Sequence, residues 1–269
     1  MKELYVVKIG GNVIDNEENL LRFLQDFSKI NAPKILIHGG GKVATEISKG
    51  LGIEAVMVDG RRITDAATLK IVTMVYGGLI NKSIVAKLQA YNANAIGLTG
   101  ADANIISATK RPIKNEIDYG FVGDVEKVDG KIISSFIENK LIPVIAPLTH
   151  NGQGDILNTN ADTVASTIAT ALSSLYSVHL VYCFELKGVL RDINDKDSVI
   201  SDIDQTTYEL LKNEGVIAKG MIPKMDNAFE AIQSGVKTVR ICHADEILSI
   251  SDNTKQIGTT LFSNKEISH

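Results

Sequence analysis

No tryptophan, five prolines and two cysteines occur in 269 residues. Cys183 and Cys242 form no C-x-x-C pair and stand near no histidine cluster. That excludes a disulfide framework or a zinc knuckle and fits a reducing compartment. Basic excess is missing too: 28 Lys and Arg against 32 Asp and Glu leave a net charge of −4, spread along the chain, so a nucleic-acid partner is not expected. No apolar run approaches the ~20 residues that cross a bilayer. MKELYVVKIGG at the start has neither the apolar core nor the cleavage site of a signal peptide. His38, His150, His179, His243 and His269 lack metal-ligand spacing, so no metal site is expected and each is given a turn or surface role. No nucleophile elbow appears, which disfavours covalent hydrolysis. The expectation is a soluble, cytoplasmic protein with no membrane partner. Its 44% hydrophobic composition suffices for one large domain or two modest ones.

What is present alternates between apolar runs and helix-period segments, the pattern of a mostly parallel sheet covered on both faces. Strands are expected at 4–9, 34–39, 95–100, 141–148, 178–183 and 236–242. Leu20, Leu21, Leu24, Phe27 and Ile30 recur at helical spacing, and further helices are expected over 42–51, from Asp65 towards Tyr91, and over 161–174 with Asn160 as cap. Gly77-Gly78 interrupt the second of these. Residues 117–135 read as antiparallel ribbon turning at Asp129-Gly130. The pattern restarts near 175–180, which divides the chain into 1–177 and 178–269.

Chemistry is suggested at five places. In YVVKIGG, Lys8 interrupts a buried strand, where an ammonium needs a nearby anion, and Gly10 and Gly11 follow with bare backbone. HGGGK puts Gly39, Gly40 and Gly41 between a strand end and a helix start, where backbone N–H groups and the helix dipole favour an anion. In DGRRIT, Arg61 and Arg62 could fork a carboxylate or stand in solvent. LNTNAD sets Asp162 in a first helical turn behind Asn158, which can both donate and accept. In GMIPK, Pro223 suits a first helical turn and leaves Lys224 at the positive end, unfavourable unless an anion offsets it. Two isolated lysines, a triple-glycine turn and an organising aspartate suit phosphoryl transfer without a covalent intermediate.

KIGGN, HGGGK, GRRIT, NTNAD and GMIPK, in this order and over nearly the whole chain, resemble the amino acid kinase family, and DYGFVGDV points to its acylglutamate branch. The resemblance implies a three-layer αβα sandwich with a mostly parallel central sheet. The lobe over 1–177 would bind the acylamino acid and dimerise, and the lobe over 178–269 would bind ATP. With ATP and Mg²⁺, the γ-carboxylate of an N-acylglutamate would become an acyl phosphate, a step of arginine biosynthesis. Lys8 and Lys224 would neutralise the phosphoryl group and Asp162 would hold both. Gly10, Gly11, Gly40 and Gly41 would donate backbone N–H groups to phosphate or substrate. Arg62 and Asn158 would grip the substrate, and Glu185, Gly188 and Met221 would serve the nucleotide.

Two departures bear on this reading. Arg61 stands where relatives often carry an apolar residue, so an N-succinyl substrate is an alternative to the N-acetyl one. CFELKGVL puts Phe184 and Glu185 where the family usually has a hydroxyl residue and an aspartate. A catalytically inactive sensor on the same fold is the rival from another class, and the retained Lys8, Asp162 and Lys224 argue against it. Lys8 comes early in the chain, leaving no room for the extra helix of arginine-inhibited hexamers, so a homodimer without arginine feedback is expected.

Overall fold

The computed structural model describes residues 1–58, 61–113, 115–217, 221–252 and 254–263, and its chain forms two compact units. One comprises residues 1–35 and 165–269, the other residues 36–164. Both are α/β with flanking helices; strand pairing is mostly parallel in the first and mixed in the second.

In the first unit, strand Glu3–Ile9 lies parallel to Ser177–Phe184, which in turn lies parallel to Thr238–His243. Thr259–Leu261 adds antiparallel to the last of these. Leu4, Val6, Val7, Ile9, Val178, Leu180 and Val181 are all buried, as strands covered on both faces must be. Helix Glu17–Lys29 starts at Asn16, whose side chain accepts from Asn19 N at 2.9 Å, and buries Leu20, Phe23, Leu24 and Phe27. Each such side chain contributes roughly 1.5–3 kcal/mol by burial, so a charge at Leu24 would detach this helix. Cys183 and Cys242 sit opposite each other in register, both free and buried. The hydrogen bond to Cys242 and burial push the Cys183 thiol up.

In the second unit, Lys34–His38, Ile142–Ile145 and Ala95–Leu98 pair in parallel. The expected strand over 141–148 is broken, because Pro147 has no N–H to donate, and the chain resumes as Leu148–His150, paired antiparallel with Ile156–Asn158. The expected ribbon is half right. Gly123–Val128 pairs antiparallel, with Ile106–Lys110, but Asp129-Gly130 is no hairpin turn. The Asp129 side chain accepts from Lys131 N and Ile132 N and caps helix Gly130–Glu138. An aspartate before glycine fits either role, and Ile133 decides it by burying.

Ala66–Ala90 is a single helix whose middle, Thr73–Ile80, widens to π geometry around Gly77-Gly78. By length and composition it could cross a membrane, although Lys70, Lys82 and Lys87 interrupt it and no unbroken apolar run comes close to that length. Ile71, Val72, Val75, Tyr76, Ile80, Ile84 and Leu88 nevertheless bury inside the unit, as in a core helix.

Candidate functional site

Ligands of open parallel sheets gather beyond the carboxyl ends of the strands, and each unit carries sequence-selected residues there. In the first unit, Ile9 leads into Gly10, and Phe184 into Glu185. Lys8 is only 7% exposed. Its ammonium stands 5.6 Å from the centroid of the Phe184 ring, and that of Lys224 stands 4.0 Å from the same centroid. Two lysines 216 positions apart in sequence are thus gathered around one aromatic ring. Lys224 gets there because Pro223 begins helix Ile222–Gln233, as the sequence predicts. A ring attracts each cation by about 0.5–2 kcal/mol, far less than a multiply charged phosphoryl group offers in a water-poor site.

Glu185 lines a cavity of about 530 Å³ in this unit, together with Lys187, Lys196, His243 and Glu246. Gly188 is packed: a Cβ there would meet Thr259 Oγ1 at 2.7 Å and Val199 Cγ1 at 2.9 Å. Met221 caps the Lys224 helix, its carbonyl accepting from Lys224 N and Met225 N at 3.0 Å. Gly10 precedes the short helix Gly11–Asp15, and a Cβ on it would make ordinary contacts with Phe184 and the Cys183 carbonyl. Among the described residues no group of three or more His, Cys, Asp or Glu could hold a metal ion.

The second unit holds a cavity of about 210 Å³ lined by Gly39, Gly40, Gly41, Arg62, Tyr76, Arg111 and Asn158 among others. Drug-sized ligands take ~300–1,000 Å³, so this space suits something as small as an amino-acid derivative. Gly40 has φ +146°, and a Cβ on it would overlap Ile80 Cδ1 and press on the Tyr76 ring, so only glycine fits. Helix Gly41–Gly50 begins at this turn. Arg62 is 8% exposed and its Nη2 donates to Gly41 O at 2.8 Å and to Thr45 Oγ1 at 2.7 Å. Its Nη1 is buried with no partner. Burial pushes the Tyr76 phenol up against the pull of the adjacent Arg62 guanidinium, so a neutral hydroxyl lines the wall. Asn158 Nδ2 donates to Thr64 Oγ1 at 3.0 Å, which leaves Oδ1 for a ligand's N–H. Asn160 Oδ1 accepts from Asp162 N and Thr163 N, at 2.9 and 3.1 Å, and so starts the helix that carries Asp162. The side chain of Arg61 lies outside the described residues.

His38 serves the glycine turn from inside the fold and not from the surface. It is fully buried, with Nδ1 donating to Gly39 O at 2.8 Å and Nε2 accepting from Asn81 Nδ2 at 3.2 Å, a network that assigns the neutral Nδ1–H tautomer. Asn81 is itself tied to Val144 O at 2.9 Å. The imidazole thereby fixes the first peptide of the glycine turn. Burial lowers its pKa to about 4, against 6.5 in an open chain. Between these values the unfolded chain takes up the proton that the fold refuses, so stability is full above pH 6.5 and falls as pH drops towards 4. The loss amounts to about 3 kcal/mol. Urea melts across that range should show it, and His38→Gln should lack that part of the slope.

Local rules in the sequence singled out Lys8, Lys224, Asn158 and the glycine turn, left Arg62 open between carboxylate and solvent, and missed Arg111, Tyr76 and the meeting of both lysines at Phe184. Arg111 stands in no motif, although its neighbour Pro112 marks a strand end.

A profile of the amino acid kinase family matches residues 3–243. A protein of Cytophaga hutchinsonii named acetylglutamate kinase is 64% identical over 264 residues, covering 98% of this chain and all of that one. One of the same name from Bacteroides thetaiotaomicron is 58% identical, over 91% of this chain and 95% of its own. Among solved structures, the smu.665 protein of Streptococcus mutans superposes with a TM-score of 0.73 at 26% identity, covering 97% of this chain and 98% of that one.

Proposed function

Because the chain belongs to the amino acid kinase family, we infer that it transfers the γ-phosphoryl group of ATP to the γ-carboxylate of N-acetyl-L-glutamate. The product is N-acetylglutamyl 5-phosphate, and the step belongs to arginine biosynthesis. The observation that carries this reading is the gathering of Lys8 and Lys224 at one ring, at 5.6 and 4.0 Å.

The attacking group is already a carboxylate at neutral pH, so no general base is required. One of its oxygens bonds to the γ-phosphorus as the bond to the β,γ-bridging oxygen breaks, and ADP leaves with that electron pair. Lys8 and Lys224 neutralise the charge that spreads over the phosphoryl oxygens. Asp162 orients the two ammonium groups. Gly10 and Gly11 on the nucleotide side, and Gly40 and Gly41 on the acceptor side, offer backbone N–H groups. Arg62 takes the α-carboxylate, which supplies the missing partner of its Nη1, and Asn158 Oδ1 takes the amide N–H. Mg²⁺ enters with the triphosphate, since it is usually held by phosphates and at most one or two carboxylates, and it would offset phosphate charge.

Roles divide near residue 177, with the acylamino-acid residues before it and the ATP residues after it, apart from Lys8, Gly10 and Gly11 at the start of the chain. The cavity beside Glu185, at about 530 Å³, has nucleotide dimensions, while Gly188 and Met221 act by holding its loop and the Lys224 helix in place. The setting is cytoplasmic and the assembly a homodimer. Met74 and Leu79, more than half exposed on helix Ala66–Ala90, support a second copy as the covering surface. Coupled ADP release with saturating MgATP is expected with N-acetylglutamate and not with aspartate or carbamate. Silence with N-acetylglutamate overturns the reading, and light scattering that returns a hexamer overturns the dimer.

A further inference from the structure

Arg111 is the second guanidinium in the wall of the 210 Å³ cavity. It follows strand Ile106–Lys110, and its backbone N–H donates to Val122 O at 2.8 Å, which fixes it to the edge of the antiparallel ribbon. Asp124 grips the guanidinium along one side: Nε lies 3.0 and 3.2 Å from the two carboxylate oxygens, and Nη2 lies 2.5 Å from Oδ1. The Tyr119 ring packs with its centroid 5.4 Å from the guanidinium carbon. Ion pair and ring together lock the plane. Nη1 is left buried and without a partner. Buried donors are nearly always satisfied, so one held this firmly in a cavity wall points to a ligand acceptor.

Among the described residues, two guanidinium groups of the cavity wall each keep a buried nitrogen without a partner, Nη1 of Arg62 and Nη1 of Arg111, and the two side chains differ in charge. The hydrogen-bond partners of Arg62 are a carbonyl and a hydroxyl, which leave its positive charge in place for a carboxylate. The charge of Arg111 is already met by Asp124, so what it presents is the donor end of a neutral pair. Such a donor matches an uncharged carbonyl oxygen better than a second anion. We propose that Arg111 recognises the N-acyl group of the acceptor, its Nη1 donating to the acyl carbonyl oxygen while Arg62 holds the α-carboxylate. Arg111 then helps the pocket tell an acylated glutamate from the free amino acid, which has no oxygen to offer there. The inference rests on the acylglutamate kinase reading above.

The test compares N-acetylglutamate with N-thioacetylglutamate, in which sulfur, a weaker acceptor, replaces that one oxygen. Wild-type protein should prefer the oxygen compound about 10-fold or more in kcat/KM. Arg111→Met should raise KM for N-acetylglutamate about 10- to 100-fold, the range for a hydrogen bond to a charged group. Its kcat should stay within about threefold, its KM for ATP should not move, and the oxygen–sulfur gap should close. Should Arg111→Met fail to fold, Asp124→Ala, which unlocks the guanidinium, must narrow the same gap. Turnover with the gap unchanged in a folded variant overturns the role of Arg111 alone. So does a wild-type preference for N-succinylglutamate that Arg111→Met removes, since the donor would then serve a second carboxylate. Absence of any turnover by the wild-type protein overturns the underlying activity, and this inference with it.

Discussion

Lys8→Met is expected to lower kcat about 10³-fold and to leave KM for N-acetylglutamate within a few-fold. Methionine keeps the length and the apolar stem but removes the charge, so the loss falls on the transition state, where negative charge spreads across the transferring group. A single preorganised donor at such a centre is worth ~10²–10³ in rate, and a cation in phosphoryl transfer ~10³ or more. A thermal melt that keeps one cooperative transition, with turnover nearly abolished, is the pattern of a residue kept for chemistry. Lys8→Arg should also be slow, because a planar guanidinium cannot take the compact position of an ammonium beside Phe184. Wild-type kcat in either variant would remove Lys8 from the mechanism.

Arg62→Met is expected to act on the other side of the reaction, raising KM for N-acetylglutamate about 10²-fold with a much smaller change in kcat. Arg62 does two things at once. Nη2 ties the Gly41 carbonyl and the Thr45 hydroxyl together, and Nη1 is buried without a partner among the described residues. Loss of a charge-assisted hydrogen bond to a carboxylate costs about 1.5–3 kcal/mol, and the unanchored glycine turn adds to it. Arg62→Lys should not rescue, since one ammonium cannot serve both tasks. Initial-rate kinetics at saturating MgATP would decide it. An unchanged KM in a folded variant would move the α-carboxylate elsewhere.

The sequence shows most clearly what short-range rules control. Lys8 between apolar strand residues, Pro223 ahead of Lys224, Asn160 ahead of Asp162 and three glycines after a strand each break or obey a local preference, and all stand in the structure where those preferences put them. Two local readings failed for the same reason. Asp129-Gly130 is as good a helix start as a hairpin turn, and which one forms depends on whether Ile133 finds a core. Histidine at a strand end suggests an exposed turn residue, whereas Asn81, 43 positions away, holds His38 inside the fold, where it braces the glycine turn.

By itself, the sequence determined the period of each segment, the chemical types available for catalysis and the family, since these lie in the order of residues along the chain. Only the tertiary structure decided that Lys8 and Lys224 meet at the ring of Phe184, that Arg62 and Arg111 line the same cavity with one buried, unpartnered donor each, and that Asp124 cancels the charge of just one of them. The physical reason is range: propensity and capping act over a few residues, whereas desolvation and charge pairing depend on groups that folding brings together from distant positions.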